Sequence, residues 1–128
     1  MANYEKEFLY VGHYTDTEGN YILKIGTTCD LARRKRDHTR NYKIAKKYKM
    51  PENETFCYDW HLPLSKYNTL RYENKNIALW KEMGFGEYVR NDRFCCGKVK
   101  PKTVTVTISL NREYHIYIKM SITILYFH

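Results

Sequence analysis

The chain has 128 residues, of which 43% are hydrophobic and 28% charged. This length suits one domain and is too short for two, and the apolar content excludes a disordered chain, which lacks the surface to offset chain entropy. No apolar run reaches the roughly 18 residues of a membrane span, and the start, MANYEKEF, lacks the apolar region of a secretory signal. We therefore expect an intracellular protein, cytoplasmic or nuclear, without a membrane partner.

The balance of charges is strongly basic. Lys and Arg number 22 against 14 Asp and Glu, which gives a formal net charge of +8 at pH 7. Such an excess on a small domain attracts polyanions, and nucleic acid is the commonest of them. A surface charged only for solubility is the alternative interpretation.

The four cysteines favour thiols over a disulfide framework, because an intracellular setting is reducing. Cys95 and Cys96 are adjacent, which suits neither the spacing of a zinc ribbon nor a mutual disulfide. A zinc site built with His61 or His115 is the alternative.

The first part of the chain predicts a β-hairpin followed by a basic helix. Residues 7–14 and 21–26 are rich in Tyr, Val, Ile and Leu, and the TDTEGN segment between them contains turn formers. A helix is predicted from Leu31 to about Lys49, with Asp30 as its N-cap. This stretch contains nine Lys or Arg and one Asp, so the positive charge is concentrated there.

The rest of the chain predicts a strand, a helix and a second hairpin. Residues 55–64 are β-like, and a helix is predicted from about Lys66 to Met83 with Ser65 as its N-cap. Residues 91–101 are interpreted as a connector. Strict alternation over 103–110 and again in YHIYIKM predicts the hairpin, with SITILYF as a candidate third strand.

The second predicted helix carries a carboxylate on its apolar face. One face contains Leu70, Glu73, Ile77 and Trp80. Because burying an unpaired charge costs several kcal/mol, roughly, Glu73 indicates a salt bridge, a metal site or an active site. The alternative is a boundary glutamate that pairs with a cation of its own helix.

Two further pairs of side chains are candidates for chemistry. Arg34 and His38 are four residues apart on the first helix and share a face, as suits phosphate binding. Alternation places Tyr10 and Lys24 together on one face of the hairpin, beside glycines that permit close approach. The alternatives are a chance Arg–His pair in a basic helix and a packing tyrosine.

In this order, these features resemble the GIY-YIG nuclease superfamily. The two strand motifs of the family stand here as FLY and KIG, and its helical residues match Arg34, His38 and Glu73. The resemblance covers about residues 7–85 and is closest to viral and phage branches, in which the second motif is often KIG.

The sequence also departs from the family pattern. Phe-Leu replaces Gly-Ile in the first motif, and Lys24 replaces the second tyrosine, for which Tyr21 is an alternative substitute. Arg33 competes with Arg34 for the arginine position, and the spacing to His38 favours Arg34.

The resemblance implies an α+β fold. Residues 1–90 would form a small GIY-YIG-like domain with a central antiparallel three-stranded sheet flanked by helices. Residues 91–128 would form a β-rich C-terminal extension, with a hairpin, packed on the same domain.

The resemblance further implies an endonuclease that hydrolyses DNA phosphodiester bonds with Mg²⁺ or Mn²⁺ as cofactor. Glu73 would bind the metal ion, and Tyr10 and Lys24 would activate the attacking water. Arg34 would hold the scissile phosphate, while His38 would relay a proton or contact phosphate.

Seven more cations of the first helix are expected to bind flanking phosphates without reading sequence: Arg33, Lys35, Arg36, Arg40, Lys43, Lys46 and Lys47. Three aromatic residues are candidates for stacking on unpaired bases or, alternatively, for the core: Tyr42, Tyr48 and Trp60. A catalytically weak or inactive nucleic-acid binding module is the main alternative function, and an adaptor for an acidic protein is another. The sequence predicts neither the target DNA nor the oligomeric state.

Overall fold

The structure is a computed structural model. It describes residues 6–40, 50, 55–84, 86–89, 93–98, 101–111 and 117–125. Within these ranges the protein is α+β, with two helices, a five-stranded antiparallel sheet and a two-stranded sheet. The elements are β1 (Lys6–Thr15), β2 (Tyr21–Thr28), α1 (Leu31–Arg40), β3 (Cys57–Ser65), α2 (Lys66–Glu82), β4 (Glu87–Tyr88), β5 (Arg93–Cys95), β6 (Thr103–Asn111) and β7 (Tyr117–Leu125).

The predicted first hairpin is confirmed, with β1 and β2 paired antiparallel from Phe8 opposite Thr28 to Thr15 opposite Tyr21. Its turn is held by Asp16, whose Oδ1 accepts hydrogen bonds from the backbone N–H groups of Glu18 and Asn20 at 2.9 and 2.8 Å. An aspartate that bonds its own following backbone is a strong turn former. This turn explains why the five-residue connection from Asp16 to Asn20 still gives a defined register.

The main sheet, in the order β3-β1-β2-β5-β4, is covered on both faces. On one face, Leu9 and Leu23 lie in a core cluster with Trp80 of α2. On the other, Tyr10 lies in a second cluster that includes Phe56, with Leu31 of α1 packed against it. Because side chains alternate along a strand, β1 supplies both cores, and α1 and α2 lie on opposite sides of the sheet.

The predicted three-stranded sheet is wrong, since the sheet has five strands. The additional strands are β4 and β5, and β5 lies inside the 91–101 segment that was interpreted as a connector. It pairs with β2, placing Phe94 opposite Leu23 and Arg93 opposite Lys24. A strand of three residues is too short to show alternation, so its partner rather than its own pattern defines it.

The second helix and its N-cap are confirmed. Ser65 Oγ accepts a hydrogen bond from the backbone N–H of Asn68 at 3.3 Å. Leu70 is 57% exposed, so its prediction as a core residue is wrong. The buried face mixes apolar with polar residues and consists of Thr69, Tyr72, Glu73, Asn76, Ile77 and Trp80. The first helix is described to Arg40, and its predicted continuation to Lys49 lies outside the described residues. Neither described helix is long and apolar enough to cross a membrane.

The predicted second hairpin is confirmed as β6 paired with β7, and the candidate third strand is wrong because residues 121–125 continue β7. The side chains of Val104, Val106 and Ile108 join the core cluster under α2. Along the same strand, Trp80 Nε1 donates a hydrogen bond to the carbonyl oxygen of Thr105 at 3.0 Å. The strict alternation of β6 therefore follows from its contact with α2.

Candidate active site

Tyr10 occupies the centre of the candidate site. The residue is fully buried on β1, directly opposite Gly26 of β2. A Cβ atom at Gly26 would lie 2.5 Å from the Tyr10 hydroxyl oxygen, which is inside any permitted contact. The ring of Tyr10 packs edge-on against Tyr58 and Phe56, with centroids 5.1 and 6.1 Å away. The glycine of the KIG segment is therefore the residue that makes room for the phenol.

His38 contacts Tyr10 from α1. Its Nε2 lies 3.1 Å from the Tyr10 hydroxyl oxygen, although the two residues are 28 positions apart in the chain. The other ring nitrogen, Nδ1, lies 3.1 Å from Nη2 of Arg93. The imidazole is thus held at both nitrogens in a buried position between α1 and the sheet.

Arg34 lies one turn before His38 on α1 and approaches the same phenol. A hydrogen bond with Arg34, together with the charge of its guanidinium, opposes the rise in the pKa of Tyr10. The buried Arg34 Nε has no hydrogen-bond partner among the described residues. A buried charged donor without a partner is costly, and a ligand oxygen would satisfy it.

Lys24 and Arg93 add two more cations. They are opposite one another on β2 and β5, and their exposed fractions are only 5% and 3%. Both charges act on His38. Arg93 is absent from the site predicted from the sequence, because it entered the site with the unpredicted strand β5. The only signal for it was a short β-type triplet, RFC, in which Phe94 is fully buried.

Glu73 approaches from α2, which packs on the other face of the sheet. Its residual exposure is 9%, and its carboxylate is close enough to Tyr10 to raise the pKa of the phenol, as the weakest of five influences. One turn earlier, Thr69 Oγ1 donates a hydrogen bond to Glu7 on β1 at 2.8 Å, which fixes this end of α2 to the sheet. Glu73 thus acts on Tyr10 through its charge.

These six residues, Tyr10, Lys24, Arg34, His38, Glu73 and Arg93, are called the Tyr10 cluster below. Burial raises the pKa of Tyr10, and the charges of Arg34 and Arg93 oppose that rise. Burial, followed by the charges of Arg93, Arg34 and Lys24, lowers the pKa of His38 to about 2. At neutral pH the cluster thus holds a neutral phenol and a neutral imidazole beside three cations and one carboxylate. The positive excess favours an anionic ligand.

A divalent metal ion would find one protein carboxylate in the Tyr10 cluster. Among the described residues, no group of three or more His, Cys, Asp and Glu side chains could hold a metal ion. The oxygen of Glu73 matches the preference of Mg²⁺ for hard ligands, and Mg²⁺ often keeps one or two carboxylates plus water and substrate phosphate. The residues therefore fit a metal ion that is held jointly with a phosphate, because the neighbouring cations repel a lone cation.

The predicted DNA-contacting residues are only partly described. Arg33, Lys35 and Arg36 are exposed on α1. The side chain of Arg40 lies outside the described residues, as do the whole of Lys43, Lys46 and Lys47 and the stacking candidates Tyr42 and Tyr48. The third stacking candidate, Trp60, is partly buried against the core cluster of α2.

The two alternative positions raised by the sequence lie elsewhere. The ring of Tyr21 stacks on His13 at 4.8 Å, and His13 Nδ1 is 2.8 Å from Asp59 Oδ1. Arg33 is exposed and its Nη2 lies 3.7 Å from the Cys29 sulfur. Tyr10 therefore has Arg34, not Arg33, as its guanidinium neighbour.

Comparison of the chain with protein-family models, with curated proteins and with solved structures found no match. Function is therefore inferred from the Tyr10 cluster and from the charged surface beside it.

Proposed function

We propose that the protein is a divalent-metal-dependent endonuclease of the GIY-YIG type that hydrolyses phosphodiester bonds in DNA. The convergence of Tyr10, Arg34 and His38 in one buried, positively charged cluster is the observation that supports this most. The arrangement of β3, β1 and β2 between two helices is consistent with the core of that fold. A phenol, a guanidinium and an imidazole in contact suit phosphate chemistry better than they suit structural packing, which needs no such charge.

Arg34 would bind the scissile phosphate. Its guanidinium reaches the Tyr10 phenol, and its buried Nε has no hydrogen-bond partner among the described residues. Arginine donors in a fixed fork match phosphate oxygens and hold charge that develops in the transition state. Lys24, buried on the neighbouring strand, would add to this positive potential.

Tyr10 would position the attacking water, with Lys24 beside it. Burial raises the pKa of the phenol, so the resting hydroxyl is neutral. The charges of Arg34 and Arg93 favour loss of its proton to solvent, after which the phenolate would accept the proton of the attacking water as the water oxygen bonds to phosphorus. A Mg²⁺ or Mn²⁺ ion held by Glu73 would supply charge stabilisation for the leaving oxygen.

The exposed side of α1 would bind the flanking DNA backbone. Arg33, Lys35 and Arg36 are exposed on the helix that carries Arg34 and His38. Contacts from such cations provide affinity that depends strongly on salt and carries no sequence information. We therefore expect substrate binding to place phosphates along α1, with one of them entering the Tyr10 cluster.

Nicking of supercoiled plasmid DNA tests the proposal. With Mg²⁺ or Mn²⁺, the wild type is expected to nick, and Arg34→Ala and Glu73→Gln are expected to lose about 100-fold or more in rate, the range for groups that stabilise transition-state charge. Arg71→Ala is the matched control, because Arg71 is an exposed cation of α2 outside the Tyr10 cluster. A wild type that nicks nothing, or variants that nick like wild type, would contradict the proposal.

A nucleic-acid binding module without turnover is the second candidate. Lys24 stands where the family has a tyrosine, and the buried phenol of Tyr10 is a weak acid in the resting cluster. Retention of DNA without nicking under both metal ions would favour this candidate. In that case Arg34→Ala would weaken DNA binding while no variant changed the plasmid.

A further inference from the structure

Arg93 and His38 form a deeply buried polar contact in the Tyr10 cluster. Arg93 Nη2 lies 3.1 Å from His38 Nδ1, and the two residues are 3% and 1% exposed. Arg93 is held in place by β5, whose backbone pairs with β2 opposite Lys24, and its guanidinium also lies 5.8 Å from the ring of Tyr14. The arginine therefore approaches His38 from a fixed direction.

The chemistry of the two groups determines where the imidazole proton is. A guanidinium has five N–H donors and no acceptor, so His38 Nδ1 must present its lone pair to Arg93. A neutral imidazole has one donor and one acceptor nitrogen, and three neighbouring cations together with burial keep His38 neutral. The proton is then on Nε2, which lies 3.1 Å from the Tyr10 hydroxyl oxygen.

We propose that Arg93 is a positioning residue that holds His38 in the Nε2–H tautomer, so that His38 donates its hydrogen bond to the oxygen of Tyr10. The tautomer follows from the contacts alone, whereas its effect on catalysis rests on the proposed nuclease function. His38 is then a donor that supports negative charge on the Tyr10 oxygen, and it does not take the proton of Tyr10.

The tautomer of His38 also determines the direction in which the O–H bond of Tyr10 points. A phenolic oxygen can accept two hydrogen bonds and donate one. His38 Nε2–H and the guanidinium of Arg34 act as the two donors to it. The hydroxyl proton of Tyr10 therefore points away from both donors. In the proposed reaction this proton leaves to solvent, and the phenolate then accepts the proton of the attacking water as the water oxygen bonds to phosphorus. Without Arg93, His38 would accept a hydrogen bond from Tyr10 and would no longer stabilise negative charge on the phenolic oxygen.

Nitrogen-15 NMR of the histidine side chains in the full chain tests the tautomer directly. The chain has five histidines, and the signal that disappears in His38→Gln assigns the residue. At pH 7 we expect the wild type to show a protonated Nε2 and an unprotonated Nδ1. A protonated Nδ1, with or without a protonated Nε2, would overturn the proposal whatever the nuclease assay shows.

Three variants separate the effect of Arg93 from that of Tyr10. In Arg93→Met we expect His38 to move to the Nδ1–H tautomer or to a mixture, and in Arg93→Lys we expect the Nε2–H form to be retained, because lysine still donates. Retention of the wild-type tautomer in a folded Arg93→Met would overturn the proposal. Tyr10→Phe keeps Arg93 and provides the second test if Arg93→Met does not fold. There the Nε2–H tautomer should persist, and a switch would show that Tyr10, not Arg93, fixes it.

The nicking assay then tests the catalytic consequence. Arg93→Met is expected to lower the nicking rate by about 10- to 100-fold, the usual cost of removing a group that orients a reactive residue, and Arg93→Lys should recover part of the loss. Unchanged nicking in Arg93→Met would overturn the positioning role. If the wild type does not nick, the proposed function fails, and the NMR measurement still decides the tautomer.

Discussion

At the scale of single residues, Gly26 shows how an absent side chain shapes the Tyr10 cluster. Tyr10 is fully buried, and its hydroxyl oxygen occupies the space where a Cβ of residue 26 would be. The conformation of β2 does not require glycine there, since Gly26 is not among the glycines with positive φ in the described residues. Glycine is needed at residue 26 because the Tyr10 side chain fills the space that a Cβ would occupy. A larger residue there would therefore displace Tyr10.

We expect Gly26→Ala to lower the free energy of unfolding by about 1–3 kcal/mol, the usual cost of overpacking a core. Urea unfolding measures the change. A Cβ at residue 26 would also lie 2.7 Å from the Cζ of Tyr10. Tyr10→Leu removes both clashing atoms, so the double variant Gly26→Ala/Tyr10→Leu should lose clearly less than the sum of the two single changes. Additive losses would show that the alanine clashes with something other than Tyr10.

His38 gives a prediction about pH. Burial and three cations lower its pKa to about 2, against 6.5 for an unperturbed histidine. Below pH 6.5, His38 binds a proton in the unfolded chain but not in the folded chain. The free energy of unfolding therefore falls as the pH falls from 6.5 towards 2. The slope is about 1.4 kcal/mol per pH unit, which gives a loss of about 2 kcal/mol between pH 6.5 and pH 5.

Urea unfolding at several pH values checks this sign and size. His38→Gln removes the titration, so its stability should fall less steeply between pH 6.5 and pH 5 than that of the wild type. Equal slopes for the two proteins would mean that His38 is protonated in the folded state. Titration of the carboxylates contributes equally to both slopes, since both proteins contain the same carboxylates, so it does not affect the comparison.

At the scale of elements, length decided which parts of the fold were predictable. The first hairpin, β3 and α2 each span enough residues for their hydrophobic period to show, and Ser65 has both the residue type and the position of an N-cap for α2. The strand β5 has three residues, and its pairing partner β2 is about 70 residues earlier. No local sequence pattern predicts the pairing of β5 with β2. For the same reason the predicted site contained Tyr10 and Arg34 but not Arg93.

One amide side chain of α2, that of Asn76, bonds both backbone groups of Thr107 on β6. Asn76 Nδ2 donates to the carbonyl oxygens of Tyr72 at 2.7 Å and Thr107 at 2.9 Å, and Asn76 Oδ1 accepts from the backbone N–H of Thr107 at 2.8 Å. These bonds satisfy backbone groups at an edge of the two-stranded sheet that would otherwise be open to pairing with another chain. The sequence placed Asn76 on a helix but gave no sign of this role.

Asn76→Ala is expected to destabilise the protein by about 2–4 kcal/mol, because it removes the hydrogen bonds that Asn76 makes to the partly buried backbone N–H and carbonyl groups of Thr107. Urea unfolding gives the total, and hydrogen exchange at the Thr107 amide gives the local effect, which should be a large loss of protection. Asn74→Ala changes the same residue type on the exposed face of the same helix and should be nearly neutral. Equal effects of the two variants would contradict the role of Asn76.

At the scale of the whole molecule, five elements meet at the Tyr10 cluster. Tyr10 comes from β1, Lys24 from β2, Arg34 and His38 from α1, and Arg93 from β5, while Glu73 acts from α2. Each of the three cations of the cluster comes from a different element of the fold. The fold therefore concentrates a positive potential at one place, and the exposed cations of α1 extend it across the surface.

The contribution of the exposed cations of α1 can be measured by the salt dependence of DNA binding. In the triple variant Arg33→Gln/Lys35→Gln/Arg36→Gln, we expect weaker DNA binding and a slope of log affinity against log salt that is shallower by about 2.7, if each side chain neutralises one phosphate. The matched control is Lys66→Gln/Arg71→Gln/Lys75→Gln, which removes the same charge from exposed positions of α2. If DNA binds along α1, the control keeps nearly the wild-type slope, because counterion release depends on contact and not on net charge. Equal losses in both triple variants would mean that the field of the whole protein, rather than the surface of α1, attracts the DNA.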